Sequence, residues 1–368
     1  MGAVSSVLRS RMPWAALAAA LPLVALASAP NTAPHLATPP NFTVAFIGDQ
    51  GVGANAVAVL QLISDEGADM VLHQGDLGYT TNANAWDQQI TDVLGAEFPY
   101  FASIGNHDCN IGPLCSGPGS WPDYQQKLQQ RLDKVAGATC TGDLGVNSAC
   151  QYRGIFFILS GAGTLGTGHA AFITSALATD VSLWKICSWH KNQQLMQVGS
   201  KTDEVDWEPY DACRGGGAII ATGHEHSYER THLMDNIEAQ SIASTSSTLG
   251  IEKGKTFVFV SGLGGQSIRG TKPPLDTNPW WASVYTSVQG ANFGALFCAF
   301  NYQGVGNQAH CYFKDIDGNV PDVFDVVSAS APFPPVPALE WWVVAALALA
   351  LAGATLVRRR GGRHVAGG

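Results

Sequence analysis

The sequence predicts an α/β protein built on a mainly parallel sheet, with further strands packed beside it. Three observations point there. Through the first two thirds, apolar runs that close on a glycine alternate with stretches of helical spacing. The 368 residues are 46% hydrophobic and include 41 glycines, enough for a sizeable core and many turns. The last third carries β-branched and aromatic runs separated by turn glycines, which read as additional strands.

Taken in order, NFTVAFIGDQG (41–51) is a strand that ends in an acid and a glycine, and AVAVLQLISDEG (56–67) follows with helical spacing. ADMVLHQGDLGY (68–79) repeats the strand pattern, NANAWDQQITDVLG (82–95) is a helix, and FPYFASIGNHD (98–108) is a third strand. After a Cys- and Gly-rich loop, WPDYQQKLQQRLDKV (121–135) reads as a helix. QYRGIFFILSG (151–161) and LWKICSWH (183–190) read as strands with the helix AAFITSALAT (170–179) between them. TFVFVSGLGG (256–265), ANFGALFCAFNY (291–302) and HCYFKDIDG (310–318) are the late strands, expected to form a second sheet beside the first.

The two ends carry a different signal. Residues 1–29 hold two arginines, an apolar stretch and a small-residue end, the layout of a secretory signal peptide cleaved after Ala27 or Ala29. Residues 30–40 are a linker, and the folded domain is expected over 41–327. A Pro-rich spacer (328–340), an apolar run (341–357) and a basic tail (358–368) close the chain. The run is at the short end of what spans a bilayer, and its terminal arginines place that end in the cytoplasm. The same layout resembles envelope sorting tails, which would make a C-terminal processing protease a partner. Both possibilities put the domain outside the cell membrane, in the envelope, on the surface or secreted. Eight cysteines then read as disulfides, adjacent pairing (109–115, 140–150, 187–213, 298–311) being the simplest of the possible arrangements. The net charge of −9 argues against a nucleic-acid partner.

Polar motifs sit at the ends of the apolar runs: GDQG (48–51), GDLGY (75–79), GNHD (105–108), WHKN (189–192) and GHEH (223–226). Loops beyond the carboxyl ends of strands in α/β sheets converge on a common site. Asp49, Asp76, Tyr79, Asn106, His107, His190, His224 and His226 are therefore candidates for one cleft. A lone Gly-Asp is commonly a turn or helix cap. Two of them aimed at several histidines would repel unless a cation lay between. Carboxylate, phenol, amide oxygen and imidazole, without thiolate, make a mixed oxygen and nitrogen donor set. In an extended segment residues i and i+2 share a side, roughly 6–7 Å apart. Paired hydrolytic metals lie about 3.5–4 Å apart, so His224 and His226 could each reach a different ion, with Glu225 turned toward solvent or a supporting position.

This series, with GHEHSYER at 223–230, resembles the calcineurin-like metallophosphoesterases and, through the Tyr of GDLGY, the short forms of the purple acid phosphatases. The resemblance implies a four-layer α/β/β/α sandwich, two mixed sheets flanked by helices, with the metal site at the carboxyl ends of the strands. It implies two metal ions. Asp49, Tyr79 and His226 would hold ferric iron; Asn106, His190 and His224 would hold a divalent iron, zinc or manganese; and Asp76 would bridge them. Asn106 and His107 would contact the substrate phosphate, His107 as the catalytic proton donor to the leaving group. The implied reaction is hydrolysis of a small phosphate monoester by in-line attack of metal-activated hydroxide. The alternatives are a phosphodiesterase acting on nucleotides or lipid headgroups, and a metal-stabilised surface protein without turnover. One departure stands out: the loop after His190, KNQQLMQVGSKTDEVDW, has none of the histidines the family places there, which leaves the general acid open. Lys191 reads as an exposed lysine or a phosphate contact, His73 as a core or near-site residue, and His232 as a weak leaving-group candidate.

Overall fold

The computed structural model describes Gly2 and residues 37–109 and 115–329. The expected signal peptide (apart from Gly2), most of the linker, the spacer beyond Ala329, the apolar run at 341–357 and the basic tail lie outside the described residues. Among the described residues no helix is long and apolar enough to cross a membrane.

The chain runs β1 (Phe42–Ile47), α1 (Ala54–Asp65), β2 (Met70–His73), α2 (Ala83–Leu94), β3 (Tyr100–Ala102), α3 (Trp121–Leu132), β4 (Thr139–Asp143) and β5 (Asn147–Tyr152). Next come β6 (Ile155–Ser160), α4 (His169–Thr179), β7 (Trp184–Ser188), α5 (Trp207–Gly216), β8 (Ile219–Thr222), β9 (Tyr228–Thr231), β10 (Leu233–Asn236) and β11 (Ser241–Ser244). The chain closes with β12 (Thr248–Ile251), β13 (Val258–Ser261), β14 (Trp281–Tyr285), β15 (Gly294–Phe300), β16 (Gln308–Asp315) and β17 (Asp322–Ser328).

Two large mixed sheets result. The first has the order β12-β17-β16-β15-β1-β2-β3 and the second β14-β9-β13-β8-β7-β6-β5-β4, with β10 and β11 as a separate pair. Parallel cores sit inside each, β1–β2–β3 in one and β6–β7–β8–β13 in the other. The late strands depart from expectation here. Only β13 and β14 join the second sheet. β15 pairs antiparallel with β1, and β16 and β17 extend the same sheet. QYRGIFF is also not one strand, because Arg153 and Gly154 turn the chain between β5 and β6.

The sheets pack face to face through aromatic rings. Phe46 meets Phe259 at 5.2 Å, Phe101 meets Phe157 at 4.6 Å, Trp184 meets Phe300 at 4.9 Å and Tyr228 meets Phe313 at 4.4 Å between centroids. Each pair joins one sheet to the other, and such pairs are worth ~0.5–1.5 kcal/mol beyond the area they bury. α1 turns Ala56, Val59, Leu60 and Ile63 inward at helical spacing, and it packs with α2 and α3 against the first sheet. α4 and α5 cover the second, where Ile173, Leu177 and Tyr210 meet Ile158 and Ile220. All four adjacent cysteine pairs are bridged, and the described residues hold no free cysteine. Four disulfides mark an oxidising environment.

Candidate metal centre

The carboxyl ends of the two parallel cores meet edge to edge. Ser261 Oγ donates to the Phe46 carbonyl at 2.9 Å and Ser103 Oγ to the Ser188 carbonyl at 2.9 Å, which brings the ends of β1 and β3 against those of β13 and β7. The loops leaving β1, β2, β3, β7 and β8 therefore open onto one place. Asp49, Asp76, Tyr79 and His224 all take positive φ, between 48° and 72°. That conformation is uncommon for residues with a Cβ, and where it persists it is enforced by the surroundings. Asp108 supplies part of that enforcement: its carboxylate accepts the backbone N–H groups of Asp76, Leu77 and Gly105 at 3.0, 2.8 and 2.8 Å. Glycine is required at two points. A Cβ on Gly105 would collide with the Asp76 backbone and carboxylate, and one on Gly75 (φ +85°) would lie 2.8 Å from Gly105 and from the His190 Cβ.

The side chains form two groups. In the first, Tyr79 OH donates to Asp49 Oδ1 at 2.7 Å and lies 3.1 Å from His226 Nε2, itself 3.3 Å from the same carboxylate oxygen. In the second, His190 Nε2 lies 3.0 Å from His224 Nδ1, 3.2 Å from Asn106 Oδ1 and 3.2 Å from Asp76 Oδ2. His190 Nδ1 donates to the Gln74 carbonyl at 2.7 Å, and His224 Nε2 donates to Glu204 Oε2 at 2.6 Å. Three acceptors thus face one nitrogen that carries at most one proton. Asp76 stands between the groups. Its Oδ1 accepts the His107 N–H at 2.7 Å, while its buried Oδ2 has no well-directed hydrogen bond. Ligand atoms of Asp76, His190 and His224 all lie within 4.8 Å of one another. A buried carboxylate oxygen without a well-directed hydrogen bond, among crowded lone pairs, is what a cation satisfies, so the residues present fit a metal.

Electrostatics agree. Burial opposes the charge on Asp49, yet His226, with His190 and His224 behind it, pulls the carboxyl below its ordinary range. Burial likewise opposes Asp76, and His190 lowers it. Burial works against a charged His190, but Asp76 and Asp49 raise it to about 9. Burial pushes His224 down to about 4, with His190 and Lys201 adding to the effect. Burial, Asp49 and Asp76 together raise the Tyr79 phenol far above its usual value, so ionising it requires a strong positive charge beside it. Asp49, Asp76, His190, His224 and His226 are buried, whereas Asn106 and Tyr79 are half-buried and His107 is exposed, its ring 4.5 Å from that of Tyr79. The mouth lies on that side, and the Cys109–Cys115 bridge closes the loop just beyond it.

A family model described as calcineurin-like phosphoesterase matches residues 42–228. The chain belongs to that family. Among solved structures, a purple acid phosphatase from yellow lupin (Lupinus luteus) seeds aligns with a TM-score of 0.57 at 19% identity, over 80% of this chain and 57% of that one. At that identity the likeness is one of fold, and the chain spans little more than half the lupin enzyme's length. The structure of PhoD aligns at 0.48 with 12% identity, over 79% and 73% of the two chains. A dimetal phosphatase from Danio rerio aligns at 0.43 with 11% identity, over 79% of this chain and all of that one. No curated protein sequence matches.

The phosphoesterase fold also brings in residues that the motifs do not mark. Ser267 Oγ lies 2.5 Å from His226 Nδ1, on the loop after β13. Glu204 reaches His224 from the loop after β7 and pairs with Lys191 Nζ at 3.0 Å. Burial opposes its charge, but His224 and Lys191 bring the carboxyl down to about 2. Lys201 Nζ lies 3.0 Å from His224 Nε2, and Arg269 Nη1 donates to the His224 carbonyl at 3.0 Å. Nothing in spacing singles these out, because they come from irregular loops. Three expectations change. Glu225 is 1% exposed, lying against Gly199 rather than facing solvent. Lys191 is half-buried and ion-paired to Glu204 rather than exposed. His232 lies past the far end of β9, roughly 13 Å of strand beyond Tyr228, and its N–H is held by the Trp280 carbonyl. His73 is a buried core residue, held neutral by burial that takes it down to about 3, its Nδ1 accepting the Gly75 N–H at 3.0 Å.

Proposed function

We propose that the protein is a dinuclear phosphatase of the purple acid type acting on small phosphate monoesters. Asp49, Tyr79 and His226 would hold a ferric ion, Asn106, His190 and His224 a divalent iron, zinc or manganese, and Asp76 both. The observation that carries this is the buried Asp76 Oδ2, which makes no well-directed hydrogen bond and lies 3.2 Å from His190 Nε2 between two groups of donors. A bound cation pair supplies Lewis acidity, lowering the pKa of water and neutralising charge on the phosphoryl group. The chain's own groups do the rest. The Asn106 amide lies at the mouth, where it can donate to a phosphate oxygen. His107, exposed and with its ring tilted against that of Tyr79, can hand a proton to the departing alkoxide, a role worth ~10²–10⁴-fold. The buried carboxylates and imidazoles keep their positions through Asp108, Gln74 and Glu204, so little reorganises during reaction.

The test is elemental analysis with turnover of p-nitrophenyl phosphate and its bis ester on the same sample. Two metals per chain and a preference for the monoester are expected. A fully loaded protein that hydrolyses neither would overturn the proposal. A colourless zinc or manganese protein would remove only the purple subgroup. We also propose export, with the domain at 41–327 working in the envelope or outside it, supported by the four disulfides.

A further inference from the structure

We propose that Gln197, Glu225, Ser227 and Glu229 form a buried site for a monovalent metal cation of sodium or potassium size, beneath the loop that carries Lys201 and Glu204.

All four side chains are withdrawn from solvent: Gln197, Ser227 and Glu229 are 0% exposed and Glu225 is 1% exposed. Gln197 Oε1 and Nε2, Glu225 Oε2, Ser227 Oγ and Glu229 Oε2 make no well-directed hydrogen bond. These groups gather on one short stretch of backbone. Glu229 Oε1 accepts the Val198 N–H at 3.2 Å, and the next residue, Gly199, lies so close to the Glu225 carboxyl that a Cβ there would collide with it. Gln197 is extended (φ −154°, ψ 162°), which sets its side chain on the face where Gly199 meets Glu225. Ser227 stands between the two acids in sequence, close enough to Glu229 to ease its charge.

The two acids are not equally served. Glu225 has cations of its own: Arg269 Nη1 stands 3.8 Å from its Oε1, and Lys201 also acts on it. Glu229 has none. The charged group that bears on it is Glu225, and its neighbours across the sheet are Val260 of β13 and Val284 of β14. A buried carboxyl group without a cation beside it keeps its proton or binds a cation. One uncompensated charge calls for one positive charge, and a second charge on the ion would be opposed by Arg269 and Lys201. Carboxylate, amide and hydroxyl oxygens, without imidazole or thiolate, suit a hard ion. Burial, with Glu225 adding to it, raises the Glu229 carboxyl to about 8, so the proton holds this place in acid and the ion takes it in alkaline solution. An ion so placed fixes the base of the loop from which Glu204 reaches His224.

The full-length, metal-loaded chain is unfolded by heating in sodium, potassium and tetramethylammonium chloride at equal ionic strength, as wild type, Glu229→Gln and Gln197→Leu. At about pH 9, sodium or potassium should raise the Tm of the wild type by about 2–4 °C over tetramethylammonium, the shift for roughly a tenfold excess of ion over its Kd. Both variants should lose most of that shift, and at about pH 5 the wild type should lose it too, because the proton then competes. A shift retained in either variant, or retained by the wild type in acid, would mark a general salt effect and overturn the site. Equal Tm values for the wild type in all three salts at the alkaline pH would mean that water satisfies these atoms, and would overturn it as well. Unfolding is read without turnover, so failure of the phosphatase reading would leave this outcome intact.

Discussion

The two halves of the proposed centre differ in charge although they would share Asp76. Asp49, Tyr79 and His226 offer a carboxylate and an ionisable phenol, supported from behind by the hydroxyl of Ser267. Asn106, His190 and His224 are neutral donors when bound, supported by the Gln74 carbonyl and the Glu204 carboxylate. Hard anionic donors favour the more highly charged ion, and imidazoles suit divalent iron or zinc. On the proposed ligand sets, the asymmetry means that the two positions would not be interchangeable. It also places the negative charge of the second half one bond further out, on Glu204 rather than on a ligand.

The largest expected effect abolishes the comparison. Asp76→Asn removes the charge common to both halves, so both ions should bind weakly and kcat/KM should drop on the order of 10³-fold, the scale of one lost preorganised electrostatic contact at a reacting centre. Metal analysis after dialysis checks it, and two retained ions per chain would show that Asp76 bridges nothing. Next come paired changes that separate the halves. Tyr79→Phe should abolish the visible tyrosinate-to-iron absorption while leaving the divalent ion in place. His190→Ala should do the opposite, with loss of the divalent ion and retention of colour. Loss of both ions in either variant would mean that the halves are not independent.

How much of this was legible in the sequence follows from where each group sits. Asp49, Asp76, Asn106, His190 and His224 lie just past apolar strands, and period and punctuation mark such places directly. The alternation also marked every strand of the two parallel cores. It did not reveal to which sheet β15 and β16 belong, because an antiparallel strand can join either edge and nothing local specifies its partner. β9 to β12 went unmarked for a different reason: YERT, LMDN, SIAS and TLGI mix polar residues or glycine into four positions and form no apolar run. Glu204 and Lys201 lie on irregular backbone, and they reach His224 only because Cys187–Cys213, α5 and the buried Glu229 fix the base of that loop. That information is three-dimensional.

Smaller effects sharpen the contrast through the supporting groups. Glu204→Gln should weaken the divalent ion about 10–100-fold, the usual range when a ligand's hydrogen-bond partner is changed, and leave the other ion alone. Ser267→Ala should act on the first half only, and less, because a neutral hydroxyl supports an imidazole more weakly than a carboxylate does. Calorimetric titration of each metal into depleted protein separates the outcomes. Equal losses from both variants would remove the asymmetry.

The smallest effect is on stability and again concerns one half. Glu229 is fully buried under the loop that carries Lys201 and Glu204, its Oε1 accepting the Val198 N–H at 3.2 Å. Burial, with the charge of Glu225 adding to it, pushes its carboxyl from 4.5 up to about 8. The folded chain therefore keeps a proton that the unfolded chain releases between those values. The linkage sign follows: this contribution to stability is complete below about pH 4.5, declines as pH rises toward 8 and is gone above it. Glu229→Gln stays neutral throughout, so the Tm of the wild type relative to the variant should fall across that window, by roughly 2–4 °C for each kcal/mol involved. The same rise in pH should loosen the loop over His224 and speed loss of the divalent ion, while the ion held by Asp49 and Tyr79 is retained. A Tm difference that stays flat from pH 5 to 8 would place the Glu229 proton elsewhere.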